Sequence, residues 1–324
     1  MIVRHILYNL GILRSHKVSG KVISIGNITV GGTRKTPTVS SLVKELTSAG
    51  KISTVITRGY KRESNDQFVV HDGKKLFGNV KNSGDEPFII ASSTNTPTIC
   101  NSDRVSAAKF AIEEFDSEFI VLDDAFQHRK IKKDIDIVLI DERRFLGNKF
   151  LLPFGMLRDH TFRLNSADIL ILSKVSFVDS NLNSRIDYLK KFGKKIIISK
   201  IIADTIKNNN EELKLENIID NNLFLFCGIG DPKNFYSTFK DMKVIGQRSF
   251  SDHYSYAPED IENILETSAK YIITTQKDFV KLPDELQKND RIFYLELNLE
   301  FYNKKFEKTS LLETIFMEIP EWQN

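Results

Sequence analysis

The chain has little cysteine. Cys100 and Cys227 are its two thiols in 324 residues. They lie far apart and follow no metal-ligand spacing, so a reducing compartment is the simple reading. Both stand in apolar, strand-like contexts, as core residues do. There is no secretory signal and no apolar run of about 20 residues, so no segment reads as membrane-spanning. A net charge of +3 is too small to argue for a nucleic-acid partner. Internal repeats and low-complexity tracts are absent as well. What remains is a globular composition, 41% hydrophobic and 27% charged, with enough apolar residues to fill a core. The length favours two domains.

The most informative stretch follows the apolar run Val22, Ile23, Ser24 and Ile25. It continues through Thr29, Val30, Gly31, Gly32, Thr33 and Arg34 to Lys35, Thr36 and Pro37. A strand that runs into glycines and then into Lys-Thr at a helix mouth has the layout of a nucleotide phosphate loop. Backbone N–H groups at such a turn cradle phosphate oxygens. Lys35 is placed to reach the β- and γ-phosphates, and Thr36 to hold Mg²⁺ through its hydroxyl. Pro37 fits the first helical turn, where its missing N–H costs nothing. Arg34 stands where the general pattern has glycine, a position that often needs positive φ or close backbone approach. A Gly-rich strand–helix turn with no ligand is the competing reading.

Strand-like and helix-like runs alternate along the chain. Strands are expected over 22–25, 52–57, 118–122, 135–140 and 168–172, and helices over 36–49 and 103–115. The alternation predicts an α/β fold with a doubly wound, mainly parallel sheet. Ligands in such sheets sit at the carboxyl ends of the strands. The polar stretch 207–222 reads as a surface excursion near a domain junction. After it, strands over 222–227, 243–245, 271–274 and 291–295 predict a second, smaller α/β domain. The division expected is 1–17, 18–204 and 205–324.

Several clusters carry chemistry. The run 118–122 ends in Asp123 and Asp124, which resembles a Walker B element whose carboxylate orients Mg²⁺. Gln127, His128 and Arg129 follow at once. Asp85 opens a helix after Gly84; it is either an ordinary cap or a carboxylate able to accept a proton from an attacking hydroxyl. Arg58 to Arg62 is a basic turn after a strand. The loop from Leu152 to Asp159 mixes apolar residues with Arg158 and Asp159, and long loops in compact domains are often functional. His253, between Asp252 and Tyr254, matters only if it reaches a cleft. Along the first 17 residues Ile2, Val3, Ile6, Leu7, Leu10 and Leu13 recur at helical spacing among basic residues. That amphipathic helix suits a bilayer interface or packing on its own domain.

Together these motifs resemble, in order and over nearly the whole chain, the tetraacyldisaccharide 4'-kinase family of lipid A biosynthesis. The match runs from Gly26–Thr33 with Lys35-Thr36-Pro37 through Arg58-Gly59-Tyr60, Gly84 to Pro87, and Asp103-Arg104. It continues through Asp123-Asp124 with Gln127 to Arg129, Leu152-Pro153 with Gly155 and Leu157-Arg158, and Gly228 to Gly230. It ends with Phe250, Asp252-His253 and Thr274-Thr275 with Lys277-Asp278. The resemblance implies a P-loop kinase of two α/β domains, associated peripherally with the cytoplasmic face of the inner membrane. It implies transfer of the γ-phosphoryl group of ATP, with Mg²⁺, to the 4'-hydroxyl of an acylated glucosamine disaccharide lipid. By resemblance, Thr29 to Thr36 bind the nucleotide. Asp85 is the general base, paired with His253 from the second domain on closure. Thr36, Asp123, Asp124, Gln127, His128 and Asp159 shape the metal–nucleotide site. Lys35, Arg104 and Arg158 stabilise phosphate charge. A monomer that binds no nucleic acid is expected.

The chain departs from the family pattern at Arg34, at Asp159 where Glu is usual, and at Tyr254 where a second His is usual. Its leader is shorter than the usual one. Two alternatives stay open, the second because of Arg34. One is another P-loop phosphotransferase or GTPase, for which Thr274 to Asp278 is a loose echo of a guanine-reading motif. The other is a nucleotide- or lipid-binding relic without catalysis.

Overall fold

The structure, a computed structural model, describes residues 7–8, 10–60, 62–64, 66–176, 178–252 and 254–323. The chain forms two compact units. The first comprises Met1–Ile201 and Leu299–Asn324, the second Ile202–Asn298.

The first unit is built on β1 (Lys21–Asn27), β2 (Ser53–Thr57), β3 (Phe68–His71), β4 (Thr98–Cys100), β5 (Phe119–Asp123), β6 (Ile135–Asp141), β7 (Ile169–Ser173) and the first part of β8 (Lys195–Lys207). The spatial order is β8-β7-β6-β1-β5-β2-β4-β3. All pairings are parallel except β3 with β4. The strands read as continuous apolar runs because both faces are covered. Along β5 the alternation is direct. Phe119 and Val121 pack on one face with Leu42, Val43 and Leu46 of α1 (Lys35–Ser48), while Ile120 and Leu122 pack on the other with Val105 and Ala108. From β1 the chain winds one way to β2 and later the other way to β6. The carboxyl end of β1, between β5 and β6, is therefore the point where ligands bind in sheets of this kind.

Residues 299–324 were expected in the second domain, but they belong to the first unit. The reason is burial. Leu311, Leu312, Ile315 and Trp322 join the same core cluster as Ile23 and Leu42, and Trp322 packs edge-on to Phe119 at 5.6 Å. Glu45 of α1 accepts hydrogen bonds from Ser310 Oγ at 2.9 Å and from the Leu312 N–H at 2.7 Å. Those contacts fix the start of the helix Leu311–Glu318.

In the second unit β9 (Glu212–Lys214) pairs antiparallel with the end of β8, and the parallel order is β11-β10-β12-β13, where β10 is Leu223–Cys227, β11 Val244–Ser249, β12 Tyr271–Thr275 and β13 Ile292–Asn303, which runs on into the first unit. Its core gathers Leu223, Leu225, Phe235, Phe239, Ile273 and Phe293. Among the described residues no helix is long and apolar enough to cross a membrane. Of the amphipathic helix expected over 1–17, residues 1–6 and 9 lie outside the described residues, and residues 10–13 form a turn and bend rather than helix. Of those described, Leu10, Ile12 and Leu13 are exposed, and His16 bridges Ile131.

Candidate active site

The phosphate loop leaves β1 and enters α1 without a side-chain cap or an acidic residue in the first turn. The first N–H groups of a 14-residue helix therefore face the loop with no side-chain partner of their own. That is the donor set an anion needs. Gly31 has φ 100°, which suits glycine. Arg34 has φ 69° and ψ 33°, so it occupies the left-handed position that the pattern assigns to glycine. It carries the strain of an L-residue there, of order 1–2 kcal/mol. The Arg34 carbonyl accepts from Thr38 Oγ1 at 2.8 Å, which ties the loop to the helix. Gly26 answers to a different constraint. A Cβ there would stand 2.6 Å from the Phe126 nitrogen, so the segment after β5 packs directly on β1.

That packing brings the charged residues together. Asp124, at φ 49°, accepts from Arg158 Nη1 at 2.7 Å and lies 3.7 Å from Lys35 Nζ. The same Arg158 nitrogen donates to Asn27 Oδ1 at 2.8 Å. Gln127 Nε2 donates to the Asn27 carbonyl at 2.9 Å. Burial alone would raise the Asp124 pKa, but Lys35 and the Arg158 hydrogen bond outweigh it and hold the carboxyl below its ordinary value. Asp123 is the opposite case. Burial, and then the nearby Glu86 charge, push its carboxyl up to about 7 against the pull of Lys35 and Arg104.

Around the loop, the buried atoms Thr33 Oγ1, Arg104 Nε, Asp123 Oδ1 and Gln127 Oε1 lack a hydrogen-bond partner among the described residues. Buried polar atoms are ordinarily satisfied. Orphans beside an uncapped helix mouth fit a nucleotide with its metal ion. Among the described residues no three His, Cys, Asp or Glu side chains converge on one point. Mg²⁺ with a nucleotide needs no such cage, because phosphates and water supply most of its oxygens.

Arg104 opens the helix Arg104–Phe115, is buried, and donates to the Asn101 carbonyl at 2.8 Å. Its charge feels Asp123, Arg58 and Asp124. Asp85 opens the helix Asp85–Thr94 after Gly84, which has φ 87°. A Cβ on Gly84 would meet the Tyr60 carbonyl at 2.8 Å, so the turn after β2 and the start of this helix abut. Asp159 is fully buried, 3.5 Å from Arg163 and accepting from the His160 N–H. His128 is half-buried, its N–H donating to the Ala125 carbonyl. His253 lies outside the described residues. Glu86 and Asn27 were not singled out from sequence. Both stand in quoted motifs, but only the fold reveals the charge of one on Asp123 and the bonds of the other to Arg158 and Gln127.

In the second unit Asp278 does not read a base. It is fully buried, accepting from the Gly228 N–H at 2.9 Å and Thr275 Oγ1 at 2.7 Å, with Lys281 at 3.2 Å. Tyr254 donates to Asp260 at 2.9 Å and packs at a tilt against Phe250, ring centroids 4.7 Å apart.

A family model described as tetraacyldisaccharide-1-P 4'-kinase matches residues 1–315. The chain belongs to the tetraacyldisaccharide-1-P 4'-kinase family. Relatives named tetraacyldisaccharide 4'-kinase include one from Halothermothrix orenii, 32% identical over 93% of this chain and 83% of the relative. Another, from Elusimicrobium minutum, is 33% identical over 94% of this chain and 85% of its own length. A crystal structure described as an apo form of LpxK from Aquifex aeolicus in complex with ATP superposes with a TM-score of 0.80 and 28% identity. It covers 98% of this chain and 94% of that one.

Proposed function

We infer that this protein transfers the γ-phosphoryl group of ATP, with Mg²⁺, to the 4'-hydroxyl of a tetraacyldisaccharide 1-phosphate. The observation that carries the reading is the uncapped mouth of α1 beside Lys35 and the Asp123–Asp124 pair, in a chain of this family. Mg²⁺, when bound, neutralises charge on the transferring phosphoryl group. Thr36 and Asp123 are the side chains suited to hold it. The amides of the loop and Lys35 bind phosphate oxygens, and Arg158 and Arg104 add positive charge where it builds up. Asp124 holds Arg158 and Lys35 at the mouth. Asp85 is assigned the proton of the attacking hydroxyl. Gln127 and His128 border the same turn. Asp159, paired with Arg163, supports the loop that carries Arg158.

A guanine-reading role for Thr274 to Asp278 has no support, because Asp278 is occupied by Gly228, Thr275 and Lys281. We further propose that it works peripherally at the cytoplasmic face of the inner membrane, where a lipid acceptor and ATP meet. The decisive experiment incubates purified protein with tetraacyldisaccharide 1-phosphate and γ-labelled ATP. Label in the bisphosphate product is expected. Nucleotide binding without transfer would instead support a non-catalytic relic.

A further inference from the structure

The loop that carries Arg158 presents a second feature, on its other side. It is fastened to the phosphate loop. The Val30 N–H donates to the Met156 carbonyl at 2.8 Å and the Arg158 N–H to the Ile28 carbonyl at 2.7 Å, while Thr29 bridges Leu157. It is also tied internally. Asn148 donates to the Phe154 carbonyl at 2.9 Å and accepts the Phe150 N–H at 3.1 Å. A Cβ on Gly155 would fall 2.3 Å from both Asn148 Oδ1 and the Phe150 carbonyl oxygen, so the turn closes in this form only around glycine. Leu157 is buried with Ile28, Leu146 and Leu164.

A loop braced in this way could pack its large apolar side chains inward. Three of them point out instead. Phe154 is 83% exposed, Phe150 62% and Leu152 52%. Single exposed apolar residues are ordinary; three within five positions on a braced tip are a patch. Cations stand beside it, and Asp187, the exposed acid on the helix that carries Tyr188, is paired with Lys190 at 2.8 Å. Lys149 precedes Phe150, and its ammonium lies 4.9 Å from the Tyr188 ring, against which Lys191 also packs at 3.3 Å. The neighbouring acids are engaged: Glu142 with Arg185, Asp141 with Lys174 at 2.7 Å, and Asp159 with Arg163. An apolar tip with a cationic shoulder matches the boundary between headgroups and acyl chains of an anionic bilayer.

We propose that Phe150, Leu152 and Phe154 form a bilayer-docking tip that enters the interface of an anionic membrane beside Lys149 and Lys191. Because the tip is hydrogen-bonded to the phosphate loop, its insertion sets the depth of that loop relative to the lipid surface. The consequence for catalysis rests on the lipid-kinase reading; the insertion itself does not. The test uses the full chain without nucleotide or disaccharide, mixed with phosphatidylcholine vesicles containing phosphatidylglycerol. Co-sedimentation of a Phe150→Ser, Phe154→Ser variant should fall about ten-fold or more. Phe77→Ser, which removes an exposed phenylalanine elsewhere, should leave it unchanged. Phe154→Trp should gain blue-shifted emission that brominated lipid quenches. Unchanged sedimentation of the double variant, or a Trp at 154 that bromine does not quench, would overturn the proposal. Unchanged sedimentation with a raised KM for the disaccharide would overturn it too, since the tip would then be an acyl-chain subsite. Loss of vesicle binding in a protein that proves to have no lipid kinase activity would leave the docking tip standing and remove the kinase reading alone.

Discussion

Two buried aspartates near the carboxyl ends of parallel strands teach opposite lessons. Asp123 ends β5 in the first unit and keeps Oδ1 without a partner. Burial and Glu86 push it up to about 7. Asp278 follows β12 in the second unit, and Gly228, Thr275 and Lys281 satisfy it. Both acids are almost fully enclosed. The satisfied one fastens a loop. The other has a valence left over, which is the observation behind its proposed role as a metal ligand beside the phosphate loop.

That contrast can be broken by substitution. The largest effect is expected at Lys35, the phosphate-loop cation 3.7 Å from Asp124. Lys35→Ala should lower phosphoryl transfer on the order of 10²–10³-fold and leave the circular dichroism spectrum and melting unchanged. Retained turnover would remove the phosphate-loop assignment.

The aspartates themselves should part company. Asp278→Ala strips the partner from a buried lysine and from the Gly228 N–H, and should cost roughly 3 kcal/mol or more in urea denaturation. Asp123→Asn should cost little stability. The raised pKa of Asp123 means that the folded state holds this proton more tightly than the unfolded chain. The acid therefore erodes stability as pH rises from the ordinary aspartate range through about 7, and an amide removes that erosion. Turnover with Mg²⁺ should nonetheless fall. If Asp123→Asn proved the destabilising change and Asp278→Ala the inactivating one, the assignment of roles would be reversed.

The smallest effect is expected at Arg34. Its φ of 69° is a strained conformation for arginine, and Arg34→Gly should stabilise the protein by about 1 kcal/mol. Relief of strain without loss of turnover would mark the arginine as a tolerated substitution in a working loop. A fall in turnover would make its guanidinium a phosphate ligand.

Much of this was legible in the sequence where the signal is local. The apolar runs of β1 and β5, the glycines and the Lys-Thr pair announce a parallel sheet with a phosphate loop, because strand, turn and helix mouth are contiguous. Even the left-handed conformation of Arg34 follows from its place in the pattern. The rest depends on residues far apart in the chain. Gly26 is required by Phe126, a hundred positions away. Glu45 reaches Ser310 and Leu312, so residues 299–324 join the first unit although they follow the second in the chain. Thr274 to Asp278 looks like a base-reading motif until the Gly228 N–H is found on its carboxylate. Glu86 sits beside Asp85 in the sequence, yet nothing in the motif reveals that its charge acts on Asp123.

Asp123 is proposed to ligate a metal ion, and proton linkage tests that role most directly. A carboxyl held near 7 must lose its proton before it can ligate Mg²⁺. Mg²⁺–ATP binding, measured by calorimetry at pH 6.5 in buffers of different ionisation enthalpy, should release more protons from the native protein than from Asp123→Asn. Release from the nucleotide is common to both proteins, so the difference belongs to the carboxyl. The native affinity should also strengthen between about pH 6 and pH 8 more steeply than that of the variant. Equal proton release from the two proteins, with parallel pH profiles, would contradict the account.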